Sequence, residues 1–212
     1  MFGKIDRVDI AKDENGKYLR IIDYKSSIKD IDLNNVIYGM QLQLITYLDA
    51  ITKKEDAEPA GVFYFNLIEP IIDGEKKNED ELEDEVRKKF KMKGVVLADV
   101  KVVKMMDNNL EKGYSDMIPV YIGKEDEISQ KLSSTATREQ FRALQKYIIK
   151  VIKDISKEIL SGKVDIKPYY KNKKTPCEYC EYKGICQFDK NKNEYNYVPN
   201  LKEDEIWEKI TS

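Results

Sequence analysis

The spacing of the apolar residues changes character twice before residue 70, and this alternation constrains the fold more than any other feature of the chain. GKIDRVDI (3–10) and KYLRIIDYK (17–25) are β-rich runs, and the polar stretch between them carries Asn15-Gly16, a strong hairpin signal. Over LNNVIYGMQLQLITYLDAITKK (33–54) the spacing turns helical. Ile37, Met40, Leu44, Leu48 and Ile51 recur at three- and four-residue steps, which predicts one amphipathic helix. PAGVFYFNLI (59–68) returns to strand. A strand–strand–helix–strand opening followed by helices predicts a mixed α/β layered fold.

Beyond residue 70 the signals are weaker. NEDELEDEVRKKFKMKG reads as a charged helix ended by Gly94, with acids in its first turns and bases in its last, as the helix dipole favours. The span 70–130 reads as an accessory insertion within a core covering 1–168. A second long helix starts near Thr137, where Thr137 and Gln140 form a capping box, and stops at Ser161-Gly162. Residues 169–212 form a cysteine-bearing tail, with a short closing helix expected in NYVPNLKEDEIWEKI. A strand is expected almost at once after Met1, so the chain reads as a fragment of something longer.

Composition narrows the function classes. Lys+Arg 37 against Asp+Glu 39 leaves a net charge of -2, so any nucleic-acid role must rest on a local basic channel. No run approaches membrane-span length and no signal-peptide pattern opens the chain, so a soluble, cytoplasmic protein is expected. Histidine is absent, which removes most zinc-enzyme and Ser/His mechanisms. Cys177, Cys180 and Cys186 lie close together, an odd set that looks like a metal site rather than a disulfide framework.

The chemistry concentrates in IIDYKSS (21–27). Residues two apart on a strand share a side, so Asp23 and Lys25 face one way while Ile22 and Tyr24 face the other. A hairpin brings Asp6 near Asp23. Two carboxylates plus the carbonyl of Tyr24 make an oxygen-only pocket suited to Mg²⁺ or Mn²⁺. Lys25 beside it could orient water or offset charge on a phosphate. D-x-K alone favours a solvated surface pair, since the string is short and common; the flanking Ile-Ile and the partner Asp6 shift the balance. Asp9 points opposite to Asp6 by strand parity and is expected outside the ligand set. Gln43 and Tyr47, four apart, share one helix flank.

GKIDRVDI…YLRIIDYKSS, then QLITY, then C-x2-C-x5-C, resembles the RecB-type nuclease branch of the PD-(D/E)XK superfamily, in the order G-x-I-D, D-Y-K, Q-x-x-x-Y. With the cysteine triplet, the chain is most similar over nearly its whole length to the C-terminal nuclease domain of AddB-type, ATP-dependent helicase/deoxyribonuclease subunits. The resemblance implies a restriction-endonuclease-like core, a central mixed sheet flanked by helices, followed by the cysteine-cluster segment. It implies Asp6 and Asp23 as metal ligands, Lys25 as the catalytic lysine, and Gln43 and Tyr47 as the helix motif contacting the site and DNA. It implies a [4Fe–4S] cluster held by four cysteines. Cys177, Cys180 and Cys186 match the downstream three; the upstream cysteine, and an upstream histidine near the metal, have no counterpart here.

An AddA-type helicase–nuclease partner is implied in the same way. So are a single-stranded DNA end fed by the helicase, break processing for recombination, and Mg²⁺-dependent cutting of the 5′-terminated strand. Arg7, Lys29 and the bases after Thr137 are candidate channel residues. Two alternatives stand beside this reading. One is a stand-alone RecB-like exonuclease of the CRISPR-adaptation type, which should carry its own first cysteine before the hairpin. The other is a non-catalytic DNA-binding clamp, whose hallmark would be loss of Asp6, Asp23 or Lys25.

Overall fold

The computed structural model describes residues 3–68 and 79–212. The opening hairpin pairs β1 (Arg7–Asp13) with β2 (Gly16–Lys25), antiparallel and in the register Arg7↔Ile22. Its turn closes because Asp13 Oδ1 accepts from the backbone N–H groups of Asn15 (2.8 Å) and Gly16 (3.1 Å). Then come α1 (Leu33–Ile37), α2 (Leu42–Glu55), β3 (Glu58–Asn66), α3 (Glu79–Lys89), β4 (Lys93–Leu97) and α4 (Val100–Met106). A short hairpin, β5 (Gly113–Tyr114) and β6 (Tyr121–Ile122), precedes β7 (Thr135–Ala136) and the long helix α5 (Arg138–Leu160). The tail holds β8 (Tyr169–Tyr170), α6 (Lys183–Cys186), β9 (Asn196–Tyr197) and α7 (Glu203–Thr211).

The central sheet has the order β1-β2-β3-β4-β7. β2 and β3 run parallel, as do β4 and β7; the other neighbours are antiparallel, so the sheet is mixed. Alternation along the strands feeds two cores. Ile21, Val62 and Val95 face Leu44, Ile45 and Leu48 of α2 and Phe141, Leu144 and Ile148 of α5. Ile22, Phe63 and Val96 face Val103 of α4 and Ile118, Val120 and Ile122. Helices thus cover one side, and α4 with the 118–122 segment covers the other. None of the described helices is long and apolar enough to cross a membrane.

Four expectations change. The helix expected over 33–54 is two helices, broken where Gly39 (φ 78°) and Gln41 (φ 53°) adopt left-handed conformations. The break is tied down by Gln41, which accepts from the Asp32 N–H at 2.9 Å and donates to the Asp30 carbonyl at 3.2 Å. The apolar period survives because Ile37 and Leu44 face the same core. The span 70–130 is not simply an insertion, since it supplies β4 to the sheet. Gly94 does not end a helix; it sits in β4, where a Cβ would run into the carbonyl of Val62 and lie 3.0 Å from Phe63 Cα. Finally, β1 starts at Arg7, so Asp6 lies just before the strand.

The capping box of α5 is present as expected, with Thr137 and Gln140 bonded reciprocally (2.8 and 3.2 Å). The tail docks onto the helical side. Lys171, almost buried, meets Asp32 Oδ2 at 2.6 Å, Asn34 Nδ2 donates to the Pro199 carbonyl at 3.0 Å, and Trp207 and Ile210 pack into the main core.

Candidate active site

β2 lies between β1 and β3; β3 pairs with it as far as Lys25, whereas β1 pairing stops at Ile22. Asp23 is 5% exposed, on the same side as Ile21 and the α2/α5 core. An ionised carboxylate survives such a position only with a compensating charge. Lys25 supplies it, with Nζ 2.6 Å from Asp23 Oδ2. Apart from this ion pair, no group donates a hydrogen bond to the buried Asp23 Oδ2 among the described residues. The Lys25 side chain is 30% exposed, so the pair opens to solvent.

Asp6 joins them from the segment before β1. Its Oδ2 accepts from the backbone N–H of Tyr24 at 3.1 Å, which fixes the carboxylate beside the main chain linking Asp23 to Lys25. The close approach of Asp23 raises the Lys25 pKa, outweighing burial, and the charges of Tyr64 and Asp6 act in the same direction. The structure therefore brings Asp6, Asp23 and Lys25 together.

Tyr64 belongs to this group and was missed in the sequence. It is the register partner of Asp23 on β3, is buried, and its ring centroid lies 5.6 Å from Lys25 Nζ. Burial first, and the Asp23 charge second, raise the Tyr64 pKa, which keeps the phenol protonated as a donor. The signal that could have found it is the parallel β2–β3 register, which local spacing does not encode.

Gln43 and Tyr47 do share a face: Gln43 Nε2 donates to Tyr47 Oη at 3.2 Å. Neither is hydrogen-bonded to Asp6, Asp23 or Lys25 among the described residues. Their link runs through Gly3, where a Cβ would lie 2.7 Å from Tyr47 Cε1. Tyr47 thus packs on the segment that delivers Asp6.

Asp9 faces the other way, as parity requires. Arg7 Nε meets its Oδ1 at 2.8 Å and Arg20 Nε its Oδ2 at 2.8 Å. Burial alone would raise the Asp9 pKa, but the bonds from Arg7 and Arg20 win and hold it below the usual carboxylate value. The proposed channel bases mostly have structural duties. Arg7 serves Asp9, Arg138 meets Asp99 at 2.8 Å, and Arg142 meets Glu58 at 2.8 Å. The Lys29 backbone is clipped both ways by the Asn66 side chain (2.8 and 3.1 Å).

Two tests of fit follow. Mg²⁺ binds through one or two carboxylates and keeps several waters. A buried carboxylate oxygen with no hydrogen bond, next to a second acid, fits that donor set. The cysteines fit less well. Cys177, Cys180 and Cys186 are unpaired and half-buried, and among the described residues no three His, Cys, Asp or Glu side chains converge on a metal position. This set does not by itself fit a four-thiolate cluster.

The family model described as PD-(D/E)XK nuclease superfamily matches residues 1–187. The chain is similar to the B subunit of the ATP-dependent helicase/deoxyribonuclease of Bacillus thuringiensis (strain Al Hakam), of Bacillus cereus (strain ZK / E33L) and of Bacillus anthracis. Each is 46% identical over 219 residues, covering 98% of this chain and 19% of the relative. The chain therefore spans only 19% of the length of the curated relatives it matches.

Proposed function

Because this chain belongs to the PD-(D/E)XK nuclease superfamily, we propose that the Asp6–Asp23–Lys25 group hydrolyses DNA phosphodiester bonds with a divalent metal. The observation that carries the proposal is the buried, hydrogen-bond-free Oδ2 of Asp23, paired with Lys25 and open to solvent. Asp6, Asp23 and the carbonyl of Tyr24 would hold Mg²⁺ or Mn²⁺. The ion would polarise a phosphoryl oxygen and lower the pKa of bound water. Lys25, its amine kept protonated, donates to a non-bridging phosphate oxygen or orients the attacking water. Tyr64, behind it, holds the amine over its ring face. Water adds to phosphorus, the P–O bond to the leaving nucleotide breaks, the proton lost by water passes to solvent, and the departing oxygen takes one up from solvent.

The relatives are helicase/deoxyribonuclease subunits by name. This supports placing the site in a helicase–nuclease complex with an AddA-type partner. There it would cut the 5′-terminated single strand as an exonuclease during double-strand-break processing.

The test is Asp23→Asn. Cleavage of 5′-labelled single-stranded DNA in Mg²⁺ should fall about 10³-fold, roughly 4 kcal/mol of transition-state stabilisation. Mn²⁺ binding, followed by electron paramagnetic resonance, should weaken in parallel. Retained cleavage at wild-type rate would overturn the assignment.

A further inference from the structure

A groove of about 780 Å³ begins where the two parallel strands end. Its floor and walls come from the segment after Lys25, the segment after Tyr64, and the α3–β4 connection. Lys88, Lys89, Lys91 and Lys93 line it, against Asp30 as the one acid among its described lining residues. None of the four lysines makes an ion pair with a described residue, whereas Arg138, Arg142 and Lys171 all do. Lys91 Nζ stands 5.5 Å from the centre of the Tyr114 ring and near the charges of Asp116 and Asp107, so Lys88, Lys89 and Lys93 are the amines left to the groove.

Register joins the groove to the site. Asp23 pairs with Tyr64, and Tyr64 pairs with Lys93, so a single row across three strands runs from the buried acid to the groove wall. Partners in a row project to the same side of the sheet. Asn66, the register partner of Lys25, lies in the groove wall as well. Ile28, 73% exposed, and Ile68 add apolar surface beside the amines. Amines that track a phosphate chain, with apolar surface to take bases and sugars, are the needs of a single strand.

We infer that this lysine groove is the track along which single-stranded DNA reaches Asp23 and Lys25. The inference rests on the nuclease reading above and adds the residues that guide the substrate. An acidic peptide would match the charge, but it has no reason to share a row with the hydrolytic acids.

The experiment measures binding without hydrolysis, so its failure is separable from failure of the nuclease reading, which Asp23→Asn tests on its own. Anisotropy of a fluorescein-labelled oligo(dT) in EDTA gives Kd across about 50–200 mM NaCl. Lys88→Gln, Lys89→Gln and Lys93→Gln, singly and together, should each weaken binding roughly fivefold at about 0.1 M salt and lower the salt slope by ~0.7 for every phosphate no longer neutralised. Lys12→Gln with Lys54→Gln, exposed and lining no part of this groove, should leave both unchanged. All three groove lysines are exposed, so thermal melts should match wild type; charge reversal to Glu provides a second series. An affinity and slope unchanged in the triple variant would overturn the inference. So would competition by poly-glutamate as effective as that by oligo(dT).

Discussion

Asp6 and Asp9 lie three residues apart on opposite sides of the sheet, and Asp9→Asn separates their roles. The amide keeps the shape of the side chain and loses its charge, so two ion pairs at 2.8 Å, from Arg7 Nε and Arg20 Nε, lose most of their strength. Arg7 is 50% exposed, and its share is a few tenths of a kcal/mol. Arg20 is only 15% exposed, and its Nη1 is already buried without a hydrogen-bond partner. Weakening Asp9 removes the main compensation for that desolvated guanidinium. The expected loss is about 1–3 kcal/mol, a fall in Tm of roughly 2–12 °C for a chain of this size. The pH dependence gives a second, independent reading. The Asp9 pKa is lowered in the fold, so its stabilisation is present above the unfolded value of about 3.9 and is lost as pH falls through the folded value. The Tm difference between wild type and variant should therefore be full at neutral pH and close below about pH 4. Calorimetry across that range measures it. DNA cleavage should persist in the folded variant. A Tm difference that does not vary with pH, or cleavage lost while the fold is intact, would refute the structural role given to Asp9.

Gly3→Ala places a Cβ 2.7 Å from Tyr47 Cε1, so the ring or the segment carrying Asp6 must move. Cleavage should fall roughly 10- to 100-fold with Tm nearly unchanged; an unaltered rate would show that this packing does not position Asp6. The triple change Cys177→Ser, Cys180→Ser, Cys186→Ser should shift Tm by less than about 2 °C, because Lys171, Asn34 and α7 fasten the tail without the thiols. Stoichiometric iron or zinc in this chain by elemental analysis would contradict that account.

What the sequence disclosed were features set by local spacing. The β1–β2 turn follows from Asp13 and Asn15-Gly16, and the α5 start from Thr137 and Gln140. What it hid were features set by strand neighbours. Gly94 looked like a helix stop because glycine often is one; its actual reason is the closeness of β3, which only the sheet reveals. The helix break at Gly39 and Gln41 was masked because Ile37 and Leu44 keep their period through it. Tyr64 and Lys93 reach the site by β2–β3–β4 register, a long-range relation with no local trace.

The same register explains why the site lies where it does. β2 and β3 run parallel, so both end at one edge, and the crevice beyond such ends is where open α/β sheets bind ligands. For stability alone, an apolar residue would serve better at position 23 than a desolvated carboxylate, because burying an ion pair often stabilises less than packing of equal volume. Asp23 is one of few buried charged side chains among the described residues, and the other buried acids accept hydrogen bonds: Asp107 from Ser115 Oγ at 2.7 Å, and Asp49 from Lys53 at 2.7 Å. Of these acids, Asp23 alone leaves a buried oxygen without a hydrogen bond. A fold selected only for persistence has no use for that oxygen, whereas a site that must grip a hard cation does. Asp23→Asn should accordingly lose cleavage with a fall in Tm no larger than that of Asp9→Asn, because Lys25 is 30% exposed and can be hydrated once its partner is gone. A large loss of stability in that variant would mean that Lys25 needs Asp23 to fold rather than to react.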